Sequence, residues 1–180
     1  MPAQRGSADT VGVKLLYLLR HAKSDWDDPE LPDHERPLAA RGVRASHDLA
    51  KRLSKAEVAP SLVLCSPALR ARQTLELIAP ALGKKVDIRY DDGLYGASVA
   101  DVIKRLGRVP ASMPSIMVVG HNPTIQELAL ELAGSGDDID RMRQKFPTAA
   151  LAMLEIDRKD WKELGRGCAD LRGLLTPREN

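Results

Sequence analysis

Cysteine is scarce in this sequence, which contains only Cys65 and Cys168 among its 180 residues. So few thiols cannot form a disulfide framework and are typical of a protein from a reducing compartment. No apolar run reaches the roughly 18 residues of a transmembrane helix, and residues 1–10 lack the apolar core of a signal peptide. We therefore expect a cytoplasmic protein that has no membrane partner.

An excess of charge of one sign is also missing. The sequence has 27 lysines and arginines against 25 acidic residues, and the net charge of +2 is too small to favour a nucleic acid partner. Neither the Gly-x-x-x-x-Gly-Lys-Ser/Thr motif of P-loops nor the Gly-x-Gly-x-x-Gly motif of dinucleotide sites occurs. A cysteine phosphatase needs arginine six residues after its cysteine, where Ala71 stands, so Cys65 is expected to be a core residue.

What the sequence does contain is an alternation of short apolar runs and amphipathic stretches. These predict strands at residues 15–19, 62–65, 84–90, 116–119 and 149–156, and helices from residue 38, from residue 66 and at 99–106 and 124–132. The hydroxyl of Ser66 is expected to cap the second helix. The pattern predicts an α/β fold, a three-layer α/β/α sandwich with a mostly parallel central sheet. We assign residues 1–13 to a disordered segment, 14–164 to the domain and 165–180 to a poorly ordered Gly/Arg-rich tail.

Polar residues suited to phosphate chemistry follow three of the predicted strands. Arg20 and His21 end the first strand, Ser66 follows the second, and His121 follows the fourth. Because carboxyl ends of parallel strands share one edge of a sheet, these residues should converge. A guanidinium can hold phosphate oxygens bidentately, and a neutral imidazole offers a nitrogen lone pair to phosphorus. A strand that merely ends in polar residues would also explain Arg20 and His21 taken alone.

The sequence resembles a known family at these same strand ends. Arg20-His21, residues 66–74 and residues 120–123 are similar, in order and spacing, to the motifs of the histidine phosphatase superfamily, also called phosphoglycerate-mutase-like. The likeness covers about residues 15–156, and the short chain with residues 145–149 looks most like the small bacterial phosphohistidine phosphatase branch. The resemblance implies that His21 is the nucleophile that becomes phosphorylated, while Arg20, Arg70 and His121 hold the phosphoryl group.

Three further residues are candidates for substrate contact. Asn122 could donate its amide to a phosphate oxygen or orient His121, although asparagine before proline is also ordinary turn chemistry. Arg36 could reach the site from the loop of residues 25–37. Many family members carry a glutamate as general acid after the third strand, and this glutamate is missing here. Asp25 is the best substitute for the general acid, although an ordinary loop residue would also explain it. No metal or other cofactor is expected, since two guanidiniums and a second imidazole can offset the charge of the phosphoryl group.

The expected activity is hydrolysis of phosphohistidine on proteins, with a phosphorylated protein or a small phosphorylated substrate as partner. An imidazole leaves more readily than an alkoxide, so the missing acid favours phosphohistidine. Only residues 25–37 and short turns can wall the pocket, and a shallow pocket suits a phosphorylated side chain of another protein. Two alternatives stay open: a phosphatase of a small ester, such as a sugar or nucleotide phosphate, and a non-catalytic phosphate-binding module. The sequence does not determine the oligomeric state.

Overall fold

The computed structural model describes residues 12–177, in which strands and helices alternate along most of the chain. The elements are β1 (Lys14–Arg20), α1 (Ala40–Lys55), β2 (Leu62–Cys65), α2 (Leu69–Ile78), β3 (Asp87–Tyr90), α3 (Val99–Leu106), β4 (Ser115–Gly120), α4 (Thr124–Leu132), β5 (Ala133–Ser135), α5 (Ile139–Gln144), β6 (Leu151–Ile156) and β7 (Ala169–Leu175). Among the described residues, no helix combines the length and apolar character needed to cross a bilayer.

The seven strands of residues 12–177 form one sheet in the order β3-β2-β4-β1-β6-β7-β5. Strands β3, β2, β4 and β1 pair in parallel, as do β5 and β7. Only β6 runs antiparallel to its neighbours β1 and β7. The predicted mostly parallel sheet is confirmed, because helical crossovers return each of the first strands to the same end of the sheet.

The centre of the sheet is buried on both faces by helices. Along β1, Leu16 and Leu18 are fully buried in a core cluster with residues of α3, α4 and α5. Tyr17 and Leu19 point to the opposite face and pack in a second cluster with residues of α1 and α2. This follows from the two-residue period of a strand, which sends successive side chains to opposite faces. The predicted three-layer α/β/α architecture is therefore confirmed.

The C-terminal boundary predicted at residue 164 is wrong, because residues 169–175 form β7 inside the sheet. Ala169, Leu171 and Leu174 are buried there, and the Arg172 guanidinium lies outward on the carboxylate of Glu155 at 2.7 and 2.9 Å. The arginines and glycines that suggested a loose tail occupy the exposed side of a strand with a buried apolar side. The predicted disordered segment 1–13 lies outside the described residues, except for residues 12 and 13, which have no regular secondary structure.

The predicted helices at 99–106 and 124–132 match α3 and α4 at both ends. Two short elements that the apolar pattern does not reveal, β5 and α5, follow α4.

Helix α1 begins two residues after the predicted start and packs closely on the segment that follows β1. A side chain at Gly42 would overlap the backbone carbonyl of Lys23, so only glycine fits at this crossing.

Candidate active site

The carboxyl ends of β1, β2 and β4 meet at one edge of the sheet, as expected from the sequence. Arg20 pairs in register with Gly120 of β4. Beyond the strands, the backbone N–H of His21 donates to the carbonyl of Gly120 at 3.0 Å, and that of Ser66 donates to Val119 at 3.0 Å. These bonds extend the parallel ladder by one residue. They thereby fix the backbone of the residues that carry the candidate chemistry.

His21 is buried, with 8% of its surface exposed, and its ring is held in one tautomer. Its Nδ1 lies 2.7 Å from the carbonyl oxygen of Ala22, so this nitrogen carries the proton and donates. Its Nε2 is therefore unprotonated, and the lone pair of Nε2 accepts a hydrogen bond from Nε of Arg70 at 3.3 Å. Burial lowers the pKa of the His21 ring to about 3, and proximity to His121 and Arg70 acts in the same direction. The ring is neutral at pH 7.

Arg70 connects the elements of the site. Its side chain projects from the first turn of α2 and is only 10% exposed. Besides the contact with His21, its Nη2 lies 3.4 Å from Nδ1 of His121. Its other partner is Asp33 of the loop: Nη1 donates to the backbone carbonyl at 2.7 Å, and Nη2 donates to the carboxylate at 3.0 Å. One guanidinium thus touches both imidazoles and an acid.

His121 faces His21, with ring centroids 5.1 Å apart. Because Nδ1 of His121 accepts from Arg70, its Nε2 carries the proton and donates to the hydroxyl of Ser66 at 2.7 Å. Burial lowers the pKa of His121 to about 4, the Arg70 charge acts in the same direction, and the Asp33 carboxylate opposes both. The predicted cap at Ser66 is wrong, since α2 begins at Leu69 and has no side-chain cap. The hydroxyl instead orients the His121 imidazole and accepts from the backbone N–H of Ala68, before the helix begins, at 3.3 Å.

Arg20 lies with its Nη1 donating to the carbonyl of Phe146 at 2.9 Å. Its Nε is buried and has no hydrogen-bond partner among the described residues. An unpaired buried donor is costly, so this atom is a candidate to bind an incoming anion. The Arg20 charge lies near enough to His21 and His121 to lower the pKa of both rings. The structure therefore brings together all four residues predicted to form the core of the site, although their roles stay predictions.

The three other predicted residues have partners outside this group. Asn122 donates to the carbonyl of Phe146 and to the side chain of Gln126, both at 3.2 Å, and so braces the start of α4. The carboxylate of Asp25 accepts from the backbone N–H of Asp27 at 2.7 Å, which closes a local turn.

Arg36 is buried within the loop of residues 25–37. It donates to the carbonyl of Asp28 at 3.1 Å and stacks 4.1 Å from the centre of the Trp26 ring. Neither Asp25 nor Arg36 forms a hydrogen bond with the four core residues, and the bonds that they do form lie within the loop. Nε of Arg36, like that of Arg20, is buried without a hydrogen-bond partner among the described residues.

Sequence reasoning missed two residues on the open side of the site. The Tyr95 hydroxyl donates to the Asp33 carboxylate at 2.6 Å, and the Tyr95 ring stands edge-on to His121 with centroids 5.7 Å apart. Asp33 begins a single 3₁₀ turn and Tyr95 directly follows another, and segments this short have no periodicity to indicate which side chains turn inward. The only signal was position, since Asp33 belongs to the loop expected to overhang the site.

The described part of the chain offers neither a reactive thiolate at Cys65 nor a cluster of metal ligands. Burial raises the pKa of the Cys65 thiol to about 12, so this residue is not a thiolate at neutral pH. Within residues 12–177, no three or more His, Cys, Asp or Glu side chains are grouped so that they could hold a metal ion. The predicted role of Cys65 as a core residue agrees with its burial.

Comparison with known proteins identifies the family. The model of the histidine phosphatase superfamily (branch 1) matches residues 16–101. An uncharacterized protein of Mycobacterium tuberculosis is 41% identical over 167 residues, which cover 89% of this chain and 100% of that protein.

Solved structures agree with this match. A structure from Nakamurella multipartitia, provisionally described as the phosphohistidine phosphatase SixA, superposes with a TM-score of 0.79 at 33% identity, covering 92% of this chain and 97% of that one. The protein histidine phosphatase SixA complexed with tungstate superposes with a TM-score of 0.73 at 25% identity, covering 91% of this chain and 97% of that one. The sequence motifs, the sheet and these matches agree, and the chain belongs to the histidine phosphatase superfamily.

Proposed function

We propose that this protein hydrolyses phosphohistidine on other proteins through a covalent phospho-His21 intermediate. The state of the His21 ring carries the proposal: Nδ1 is fixed as a donor to Ala22, and Nε2 keeps its lone pair beside Arg70. A neutral imidazole with one nitrogen held in this way can attack phosphorus with the other. The low pKa of the ring keeps it in this form throughout the physiological range.

The first chemical step transfers the phosphoryl group to His21. Nε2 attacks phosphorus while the bond from phosphorus to the substrate ring breaks, and the electron pair of that bond stays on the leaving nitrogen. The other nitrogen of the substrate ring carries a proton, so the ring leaves as neutral imidazole. Arg20 and Arg70 supply positive charge around the equatorial oxygens, where charge is spread in the transition state. An arriving phosphate dianion raises the pKa of His121, so that its Nδ1 gains a proton and donates to an oxygen.

The second step releases phosphate. Water attacks phosphorus, the bond from phosphorus to Nε2 of His21 breaks, and the electron pair returns to Nε2. Because Nδ1 retains its proton on the carbonyl of Ala22, the ring leaves as neutral imidazole and the starting tautomer is restored. The family's usual glutamate after the third strand is not required for an imidazole leaving group.

The exposed rim of the site supports a substrate carried on a protein. The Asp33 side chain, which contacts Arg70, is 48% exposed, and Tyr95, whose ring contacts His121, is 40% exposed. Sites for small-molecule ligands usually enclose most of the ligand surface. A phosphorylated imidazole presented from another protein needs only the phosphate contacts and an accessible rim. The similarity to SixA proteins supports the same substrate class.

The test is rapid quench with a radiolabelled phosphohistidine peptide. We expect label on a peptide that contains His21, in a form that is stable in base and lost in acid, as phosphoramidates are. His21→Ala should abolish both label and turnover, whereas His47→Ala, on the exposed surface of α1, should change neither. Label on Ser66 or Cys65 would contradict the assignment.

A substrate panel decides between the reactions that remain. The phosphohistidine peptide should have a higher kcat/KM than sugar phosphates, nucleotide phosphates or p-nitrophenyl phosphate. A phosphate ester hydrolysed at least as efficiently would identify a small-ester phosphatase instead. Binding of phosphate without turnover of any compound would indicate a non-catalytic module.

A further inference from the structure

Asp33 lies on the open side of the candidate site. It begins a single 3₁₀ turn, Asp33–Glu35, in the loop that follows β1. Its carboxylate accepts from Nη2 of Arg70 at 3.0 Å and from the hydroxyl of Tyr95 at 2.6 Å. The Asp33 side chain is 48% exposed, whereas that of Arg70 is 10% exposed. The carboxylate therefore faces solvent on one side and the guanidinium on the other.

The position of Arg70 relates this carboxylate to the reacting atoms. One edge of the guanidinium faces Nε2 of His21, and its Nη2 lies between His121 and Asp33. A phosphoryl group on Nε2 that is bound by Arg70 thus contacts the same guanidinium as the Asp33 carboxylate does. Among residues 12–177, Asp33 is the only acid with a hydrogen bond to any of the four core residues.

Displacement at phosphorus fixes the direction of the attacking water. The attacking and leaving atoms are roughly in line, so water must approach phosphorus opposite Nε2 of His21. The His21 ring is buried, whereas Asp33 and Tyr95, which contact Arg70 and His121, are exposed and border the side from which solvent reaches the site. A water molecule that attacks from this side would lie beside the Asp33 carboxylate, whereas Asp25 is engaged in its own turn.

We propose that Asp33 is the general base that activates water for hydrolysis of phospho-His21, an inference that rests on the function proposed above. The water oxygen forms a bond to phosphorus as the bond to Nε2 breaks. The electron pair of the broken bond goes to Nε2, and one water proton goes to the Asp33 carboxylate. Phosphate then leaves, and Asp33 returns the proton to solvent.

The contacts of Asp33 suit a group that must change its charge during turnover. Hydrogen bonds from Tyr95 and Arg70 lower the pKa of Asp33 in the free protein, so the carboxylate starts ionised and able to accept a proton. When a phosphoryl group takes the Arg70 contact, a second negative charge adjoins Asp33 and raises its pKa. The protonated Asp33 carboxyl is therefore stabilised while the phosphoryl group is on His21, which is when Asp33 must accept the proton from water.

The experiment separates the two chemical steps in Asp33→Asn. The protein is labelled by a phosphohistidine peptide, freed of substrate by desalting, and followed as label leaves His21. We expect hydrolysis to slow about a hundredfold, while the rate of labelling changes only a few-fold, so that phosphoprotein accumulates. Asp27→Asn is the matched control, because it removes an exposed carboxylate from the same loop.

Asp33→Ala provides a second measurement, since added formate should restore hydrolysis by supplying a small carboxylate in the space left. A purely structural role would not give this rescue. If wild-type His21 is never labelled, the proposed function itself fails. If label leaves Asp33→Asn as fast as wild type, or formate restores nothing in Asp33→Ala, Asp33 is not the base.

Discussion

The hydroxyl oxygen of Thr74 lies 2.9 Å from the backbone nitrogen of Ala22 and accepts its hydrogen bond. Both residues are fully buried. The same hydroxyl donates to the backbone carbonyl of Arg70 at 2.7 Å. One side chain of α2 thereby ties the residue after His21 to the residue that carries the guanidinium, which fixes the spacing between the candidate nucleophile and its principal partner.

Thr74→Val should destabilise the protein and impair catalysis together. Valine keeps the shape of threonine but leaves the buried N–H of Ala22 without an acceptor, which costs about 1–3 kcal/mol. Urea denaturation measures the loss, and kcat should fall because His21 and Arg70 are no longer held by a common bond. Thr74→Ser retains the hydroxyl and serves as control. Equal stability of the two variants would contradict the importance of this bond.

Arg20→Lys should lower kcat about a hundredfold, the effect typical of losing one preorganised donor to a transition state. The guanidinium keeps one nitrogen on the carbonyl of Phe146 while Nε remains available to the substrate. A lysine offers a single nitrogen and cannot satisfy both. Arg72→Lys, two residues after Arg70 and exposed, is the control and should retain activity. Turnover near the wild-type rate in Arg20→Lys would exclude this residue from substrate binding.

The two buried imidazoles should make the protein less stable in mild acid. In the folded protein the pKa values of His21 and His121 are about 3 and about 4, against 6.5 in the unfolded chain. Below pH 6.5 the unfolded state therefore binds more protons, and the free energy of unfolding falls as pH drops. Each ring should account for about 2 kcal/mol between pH 7 and pH 5.

Denaturant titrations at both pH values test this linkage. The double variant His21→Asn, His121→Asn should lose about 4 kcal/mol less stability than wild type over this interval. His47→Asn, which replaces an exposed histidine of α1, should behave like wild type. An unchanged pH dependence in the double variant would show that other groups cause the acid sensitivity.

Gly42→Ala should destabilise the packing of α1 against the segment after β1. The new methyl group would overlap the backbone carbonyl of Lys23, and neither backbone can move without disturbing its neighbours. We expect a cost of about 1–3 kcal/mol, as for other overpacked sites. Gly165→Ala has open space around the added carbon and should leave the thermal midpoint unchanged. A Gly42→Ala variant as stable as wild type would show that this crossing relaxes freely.

The sequence predicts the strands that carry the site better than it predicts how the site is organised. Apolar runs that end in Arg20 or precede His121 identify parallel strands, and topology brings those ends together. The hydrogen bond from His121 to Ser66 joins residues from different strands, and a local pattern indicates a helix cap instead. Asp33 lies in a loop, where inward and outward side chains have no period. Strand β7 was hidden because its outward side chains resemble those of a tail.

The place of β4 between β1 and β2 has a consequence for how the chain folds. β1 and β2 are near in sequence, but each pairs with β4 rather than with the other. The two strands therefore lie about 10 Å apart and cannot form hydrogen bonds in the sheet before β4 is in place between them. Folding must therefore wait for contacts between distant parts of the chain. A peptide of residues 16–101 would contain Arg20, His21 and Arg70 but would lack β4, the strand that joins β1 to β2. Phosphate should consequently stabilise only the complete domain, so that its binding reports the final step of folding.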